Sequence, residues 1–500
     1  MIDKTIMLLP VVFSIVGIFA ILLVESFRWT RWIALVSSIL SSIVTLTLVS
    51  IVIINDGDPL LYHVNWIPSY SAHFSLKLLS WQTPYLIISS LLFPFLIGIE
   101  WNRSVFKRGL LVLILLFQTT QYGIVLSNDL FLFYFFWFLS SVLGFFLLGL
   151  WGNESSPEAT QKMITQHALS NVFVFMGVLF VYFLVTPHTF YLDDPQLLSS
   201  VDKKIVFFGF ELSLKRLAFL FISIGFAVRT PLLPFSSWYR KAAKEMSCSH
   251  LFVVLLSNAG VAFFVFATIG YQIFKNEINE FSKIFLIYGA IQACYSLIFL
   301  YSKQSIKEIY AELTTLLFSI AMITFGLSTI QGLLGAVLFV FAGLFSLMGL
   351  AILFDYLMER ANTDNIAKMG DLKQKDTIGL VCGAIIMLSV VALPGTVGFI
   401  GFSTYVIGLF EKIKAYTLVV VFIFVLMQVF LLRLYYLLFL QTKDKEILES
   451  EKINKKYKFA LVPISALLIV FGVFSYPLIK VIKQTTITMI VGSEPAGTQE

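Results

Sequence analysis

The ten residues RTPLLPFSSW, Arg229–Trp238, lie at the end of a run from 216 to 237 that is otherwise apolar enough to cross a bilayer. Pro231 and Pro234 each lack a backbone donor, so a helix entering this stretch must break there. Arg229 stands directly before the break, and a guanidinium keeps its charge throughout the physiological pH range. A charge inside a membrane is costly unless it is paired or reaches water, which makes Arg229 a functional candidate. The carbonyls freed by the break are expected to solvate it. Trp238 is expected to anchor the span at the membrane interface.

The rest of the chain fits a membrane setting. Of its 500 residues 58% are hydrophobic and only 13% charged, and the mean hydropathy is +0.90. Apolar runs long enough for spanning helices recur along almost the whole length, whereas a β-barrel would show short stretches of alternating polarity. Spans are predicted near 5–24, 31–54, 78–99, 109–126, 130–151, 168–186, 216–237, 249–273, 283–301, 309–328, 332–356, 377–409, 417–440 and 459–482. The fold class is therefore all-α integral membrane, with about 14 transmembrane helices. The first run lacks a basic lead and a cleavage site, and reads as a retained helix.

A second break is expected at Pro394–Gly395, inside the twelfth span. With helices 4–8 (residues 109–273) and 9–13 (283–440) taken as two five-helix units, broken helices 7 and 12 are each the fourth of their unit. An odd number of helices per unit inverts the second copy relative to the first, as in secondary transporters and ion pathways. Residues 1–108 then supply helices 1–3, and 441–500 a basic loop, the last helix and a tail. Lys and Arg are concentrated in the loops on one side, so both termini should face away from the cytoplasm or matrix. The loop from Lys443 to Lys458 carries the strongest bias and reads as a solvated, orientation-setting segment.

Few ionisable groups touch the spans. Besides Arg229, the ion-path candidates are His250 at the start of the eighth span, Lys307 and Glu312 at the tenth, Asp129 between the fourth and fifth, and Lys162 before the sixth. Each has a structural alternative: an interfacial hydrogen bond for His250, an ordinary loop for Lys303, Lys307 and Glu308. Asp355, Glu359 and Arg360 suit a helix end with its charges in water. Cys248, Cys294 and Cys382 are far apart with no metal or disulfide spacing. No P-loop, GxGxxG or HExxH motif occurs, so the chain is expected to carry no catalytic centre, metal or cofactor of its own. The net charge of +6 lies in short loops between apolar runs, where the lipid bilayer rather than nucleic acid is the expected partner.

Five segments carry a resemblance: FAVRTPLLPFSSW, YGAIQA (288–293), SIKEIYAEL (305–313), ERANTDNIAKMGDL (359–372) and ALPGTVGFIGF (392–402). They resemble the antiporter-like membrane subunits of respiratory NADH:quinone oxidoreductase and the Mrp-type cation/proton antiporter subunits. The resemblance implies a mid-membrane axis of charged residues and a place among other membrane subunits of a bacterial or organellar inner membrane. On this chain the seventh-helix lysine becomes Arg229. The fifth-helix glutamate becomes Phe138, the eighth-helix lysine falls near Ser257 to Gly260, and the twelfth-helix acid becomes Phe402. The eleventh-helix histidine falls at Gly343–Leu344, and the one after the first prolines at Ser236. Phenylalanine neither binds nor donates a proton, so the axis is expected to be degenerate and the role structural or coupling. Two alternatives stay open: an active proton or sodium translocator by a displaced route, and the membrane subunit of an ion-driven inorganic-carbon uptake complex with a cytoplasmic partner.

Overall fold

The computed structural model describes the chain except residues 1–3, 103–106, 154, 199–202, 208–209, 328, 370–376, 442–450 and 492–500. The first half of the basic loop and the end of the ERANTDNIAKMGDL segment thus lie outside the described residues. Two apolar helices, α1 (Leu9–Leu23) and α2 (Phe27–Ile54), lead into a hairpin of β1 (Leu60–Ile67) and β2 (Ala72–Leu78). Four long helices follow: α3 (Thr83–Ile99), α4 (Lys107–Leu126), α5 (Leu130–Trp151) and α6 (Ser156–Tyr182). A short α7 (Pro195–Leu198) and the antiparallel pair β3 (Lys204–Phe207) and β4 (Phe210–Ser213) precede α8 (Leu214–Arg229) and α9 (Ser237–Glu245).

The second half opens with α10 (Cys248–Leu255), a π-turn at Leu256–Gly260 and α11 (Val261–Ile273), which together make one continuous span. Then come α12 (Lys275–Glu280), α13 (Ser282–Ser302), α14 (Ile306–Thr324) and the 32-residue α15 (Ile330–Ala361). The chain closes with α16 (Thr377–Val390), α17 (Val397–Lys412), α18 (Lys414–Tyr435), α19 (Glu451–Val473) and α20 (Tyr476–Val491). The core runs along α10–α11 and α15, whose apolar windows are 100% and 94% buried. The outward faces of α1, α2, α13 and α18 stay rich in exposed leucine, isoleucine and phenylalanine, as lipid contact requires.

Among the described residues, eleven helices are long and apolar enough to cross a membrane. The other expected spans differ for physical reasons. The seventh is split, because Thr230–Ser236 carries no helix and α9 begins a new amphipathic one. The twelfth is split between Val390 and Val397, where Ala392 and Gly395 take left-handed φ values of 57° and 93°. The tenth is α14, whose first turns carry Lys307, Glu308 and Glu312. The last expected span, 459–482, ends instead at Val473, and Pro477 opens α20 in its first turn.

Close helix approach depends on glycine. A Cβ at Gly335 of α15 would stand 2.7 Å from the Tyr405 backbone, and one at Gly408 of α17 2.7 Å from the Gln331 carbonyl. Gly177 of α6 and Gly225 of α8 meet the partner backbone in the same way, at 3.0 Å.

The β1–β2 hairpin is not foreshadowed by hydropathy. Asp129 fixes it to the bundle: one carboxylate oxygen caps α5 by accepting from Phe131 and Leu132 N–H at 2.9 and 3.2 Å, and the other accepts from His73 N–H at 2.9 Å. Around this cap, Asp193 accepts from Lys77 at 2.6 Å and from Asn128 at 2.8 Å, and the His63 and His73 rings lie 4.8 Å apart. Burial pushes the Asp129 carboxyl up to about 6, against the lowering effect of its three backbone donors.

Gly408→Ala should cost about 1–3 kcal/mol through overpacking against the Gln331 backbone, read as a lowered unfolding midpoint. Because the folded carboxyl of Asp129 titrates above its unfolded value, its contribution is full at low pH and lost as pH rises through about 6. The native chain should therefore lose stability relative to Asp129→Asn between about pH 4 and pH 7. Parallel stability curves for the two would contradict the assignment.

Candidate functional site

Arg229 is the last residue of α8 and is fully buried. Its guanidinium reaches across to α5 and α6. Nη1 donates to Ser140 Oγ at 2.6 Å, and Nη2 to the Trp137 carbonyl at 2.8 Å, to Asn171 Oδ1 at 2.9 Å and to Ser141 Oγ. The Trp137 ring lies over the charge with its centroid 4.0 Å away. No carboxylate is among these partners.

The carbonyls at the break do not solvate the guanidinium, contrary to the sequence expectation. They are already taken: Gly225 O by Ser170 Oγ, Phe226 O by Thr230 N–H, Ala227 O by the Thr230 hydroxyl and Val228 O by Trp238 Nε1. Arg229 instead gains from lying in the last turn of α8, at the negative end of the helix dipole. Trp238 is corrected as well. It is fully buried, edge-on to His167 with ring centroids 4.8 Å apart, because α9 folds back into the bundle.

Phe138 also differs from expectation. It is 50% exposed, while Trp137, Ser140 and Ser141 form the face of α5 that meets Arg229. A carboxylate at 138 would thus point away from the charge it was expected to pair. Phe402 stacks on Phe424 with centroids 3.7 Å apart and planes 13° from parallel. Ser257 and Asn258 donate back to carbonyls one turn earlier, at Val253 and Val254. Gly343 lines a cavity of about 40 Å³ with Leu313, Leu317, Phe339 and Phe424. Ser389 brings the one hydroxyl of its lining and is already paired with Ser346 at 2.8 Å, so the cavity offers water few partners.

The titratable groups gather toward the ends of the helices. Glu312, expected as a candidate, is buried and takes a two-point ion pair from Arg240 of α9, with Nε and Nη2 at 2.8 and 3.2 Å. Arg240 also donates to Tyr295 at 3.0 Å and lies against the Phe299 ring. Sequence reading missed Arg240, since α9 follows the broken span like a loop. Its signal is the amphipathic spacing of Arg240, Lys241 and Lys244 against Trp238, Tyr239, Ala242 and Ala243.

His250 lies at the start of α10 with Nε2 3.3 Å from Glu100. Asp355 was expected in water at a helix end. It is buried and accepts from Cys248 and Ser249 N–H at 2.7 and 2.8 Å, occupying the N-terminus of α10. Glu100, Asp355 and Lys307 line a polar cavity of about 1250 Å³ that also meets Lys244, Glu359 and Lys456. Lys307 donates to the Lys244 carbonyl at 3.2 Å. Lys162 is half-buried on α6. Asp129 belongs to neither group: it caps the opposite end of α5, and the 22 residues of that helix separate it from Asn153, which bonds Glu245 of α9, by roughly 33 Å. The structure thus brings together Glu100, His250, Asp355 and Lys307, joins Glu312 to Arg240, and leaves Arg229, Lys162 and Asp129 apart from them.

Residues 127–431 match the family described as NADH:quinone oxidoreductase/Mrp antiporter, TM, over more than half of the chain. NAD(P)H-quinone oxidoreductase chain 4 1 of Synechococcus sp. (strain JA-2-3B'a(2-13)) is 25% identical over 420 residues, 80% of this chain and 74% of its own length. NADH-quinone oxidoreductase subunit M of Rickettsia prowazekii (strain Madrid E) is 23% identical over 458 residues, 90% of both chains. A chain of respiratory complex I from Thermus thermophilus superposes with a TM-score of 0.85 at 19% identity, over 98% of this chain and 100% of that one. A chain of the Mrp complex from Dietzia sp. DQ12-45-1b gives 0.82 at 13% identity, over 99% and 98%. With the broken spans, the all-helical fold and a family match of this extent in agreement, the chain is an integral, multi-pass, antiporter-like membrane subunit and belongs to the NADH:quinone oxidoreductase/Mrp antiporter transmembrane family.

Proposed function

We propose that this chain serves a multi-subunit membrane assembly of the NADH:quinone oxidoreductase/Mrp type as a structural or coupling subunit whose own mid-membrane proton axis is degenerate. The observation that carries this reading is the holding of Arg229 by hydroxyl, amide and carbonyl acceptors alone. A family pair would exchange a proton between two ionised groups, and here the cation has only neutral partners. The Phe402–Phe424 stack and the largely apolar cavity beside Gly343 favour the same reading, because a relay needs water or a titratable group at each step.

The wider architecture belongs to this proposal. Taken with α14 and the two split helices, the eleven long spans would make the 14 expected crossings. The breaks before α9 and α17 fall on the fourth helix of each five-helix unit, 109–273 and 283–440, in keeping with inverted repeats. Residues 1–108 would then form a separate three-helix N-terminal part, and 441–500 the closing segment. Lys241, Lys244, Lys303, Lys307 and Lys456 around α9 favour that end as the cytoplasmic or matrix side, which would put the termini on the other. Other membrane subunits are the proposed partners, in a bacterial or organellar inner membrane.

A second reading has one specific support. Glu100, the partner of His250, lines the 1250 Å³ cavity together with Lys307 and Asp355, where water could load a displaced proton or sodium route.

Vesicles containing the chain should hold a pH gradient as protein-free vesicles do, and Arg229→Ala should leave its decay unchanged. Flux abolished by Glu312→Gln or His250→Ala would overturn the structural role in favour of the second reading. Purification from the native membrane should bring down flavin and iron–sulfur subunits or other antiporter-like chains, whereas a lone soluble zinc protein would indicate the uptake system. Ser141→Asp should be tolerated, since it sets a carboxylate beside a buried cation. Phe138→Glu should cost about 3 kcal/mol in a bilayer because it turns an acid toward lipid. Equal unfolding midpoints for these two variants would contradict the placement of Arg229.

A further inference from the structure

The polar residues best buried in the first four helices lie away from Arg229. Gln121 and Tyr122 stand three and four residues after Gln118 on α4, and all three are fully buried. Gln118 Nε2 reaches Ser42 Oγ at 3.2 Å, the Ser38 carbonyl at 3.3 Å and the Tyr122 hydroxyl at 3.3 Å, while its Oε1 has no partner. Neither Oε1 nor Nε2 of Gln121 has a partner. Exchanging the two atoms of that amide changes nothing, so the deficit does not depend on how the amide is oriented. Ser38 Oγ on α2 and Asn258 Oδ1 in the π-turn are likewise buried and unpartnered.

Through Tyr122, whose hydroxyl lies within electrostatic reach of Tyr85 on α3, this face of α4 is linked to a segment of irregular backbone. α4 packs against α2, α3 and α11. On α3, the Tyr85 hydroxyl donates to the Leu256 carbonyl at 3.2 Å, and its ring packs on Gly260, where a Cβ would stand 3.4 Å from Cε2. The π-turn Leu256–Gly260 thus opens the ladder of the most deeply buried span where Tyr85 touches it, with Asn258 Oδ1 unpartnered inside the turn. Such turns recur at functional sites. A glutamine amide offers up to four hydrogen bonds, and leaving all of them unmade in hydrocarbon is among the most unfavourable arrangements in a membrane protein. Buried water commonly fills such a deficit, making about three bonds per molecule.

We propose that ordered water occupies the seam between α2, α4 and the π-turn, with Gln121 as its central ligand and Gln118, Ser38 and Asn258 as its flanking ones. It forms a hydrated site inside the membrane, separate from the Arg229 cradle. It stands whether or not the chain conducts ions, since it depends only on unsatisfied neutral groups in the first four helices and the π-turn.

The test is a pulse of hydroxyl radicals generated by X-rays in the full chain in lipid nanodiscs, with tyrosine oxidation read by mass spectrometry. Water held against the amides should oxidise Tyr122, and Tyr85 beside the π-turn, despite their burial, at a rate nearer that of exposed Tyr70 than that of Tyr405, which is equally buried against the Ile320 carbonyl. Gln121→Leu should abolish this excess labelling. Labelling of Tyr122 as slow as that of Tyr405 would overturn the proposal with the native chain alone, whatever the variant does. Excess labelling that survives Gln121→Leu would overturn the role given to Gln121.

Discussion

The placement of one uncompensated charge governs the centre of this protein. A guanidinium taken out of water must be met by acceptors, and Arg229 meets them on two neighbouring helices rather than on its own. Ser140, Ser141 and the Trp137 carbonyl fix the rotation of α5, and Asn171 fixes that of α6. The Ser170 bond to Gly225 and the glycine crossing at Gly177 and Gly225 then hold α6 close against α8. Removing any one acceptor leaves the others bearing the same charge, so the cradle acts as a unit.

Away from that cradle the middle of the second half is built of aromatic and aliphatic surface, and charge is pushed toward the helix ends. Asp355 and Asp129 illustrate the division. Both are buried carboxylates, yet each is engaged by backbone N–H groups at the start of a helix, α10 and α5 respectively. In hydrocarbon such a cap replaces the water that would otherwise satisfy those donors.

How much of this could be read from the sequence follows from what a bilayer does to hydropathy. The spans were legible because an apolar run long enough to cross is seldom stable anywhere but in a bilayer, and the two breaks because proline and Pro-Gly announce themselves. Helix rotation was not legible. On α5 the inward Trp137 and the outward Phe138 are equally apolar, since lipid and core demand the same chemistry, and only the hydroxyls of Ser140 and Ser141 mark the inner face. Arg240 was missed because α9 has the composition of a loop once its apolar face is ignored. The β1–β2 hairpin escaped because its residues alternate too weakly, and it is held by an aspartate outside it. Trp238 followed the usual preference of tryptophan for interfaces until the chain reversed direction at the break and carried it inward.

The short helix α9 acquires a mechanical meaning from its contacts. On one side Gln166 of α6 bonds Ser237 at 3.2 Å and Glu158 pairs with Lys241; on the other, Thr314 bonds Tyr239 at 3.0 Å, Glu312 grips Arg240 and Glu308 meets Lys244 at 3.2 Å. The segment released by the first break is therefore a strut pinned to both halves of the protein. Shear between α6 and α14 would have to tear the Arg240–Glu312 pair, so the two helices are coupled through α9.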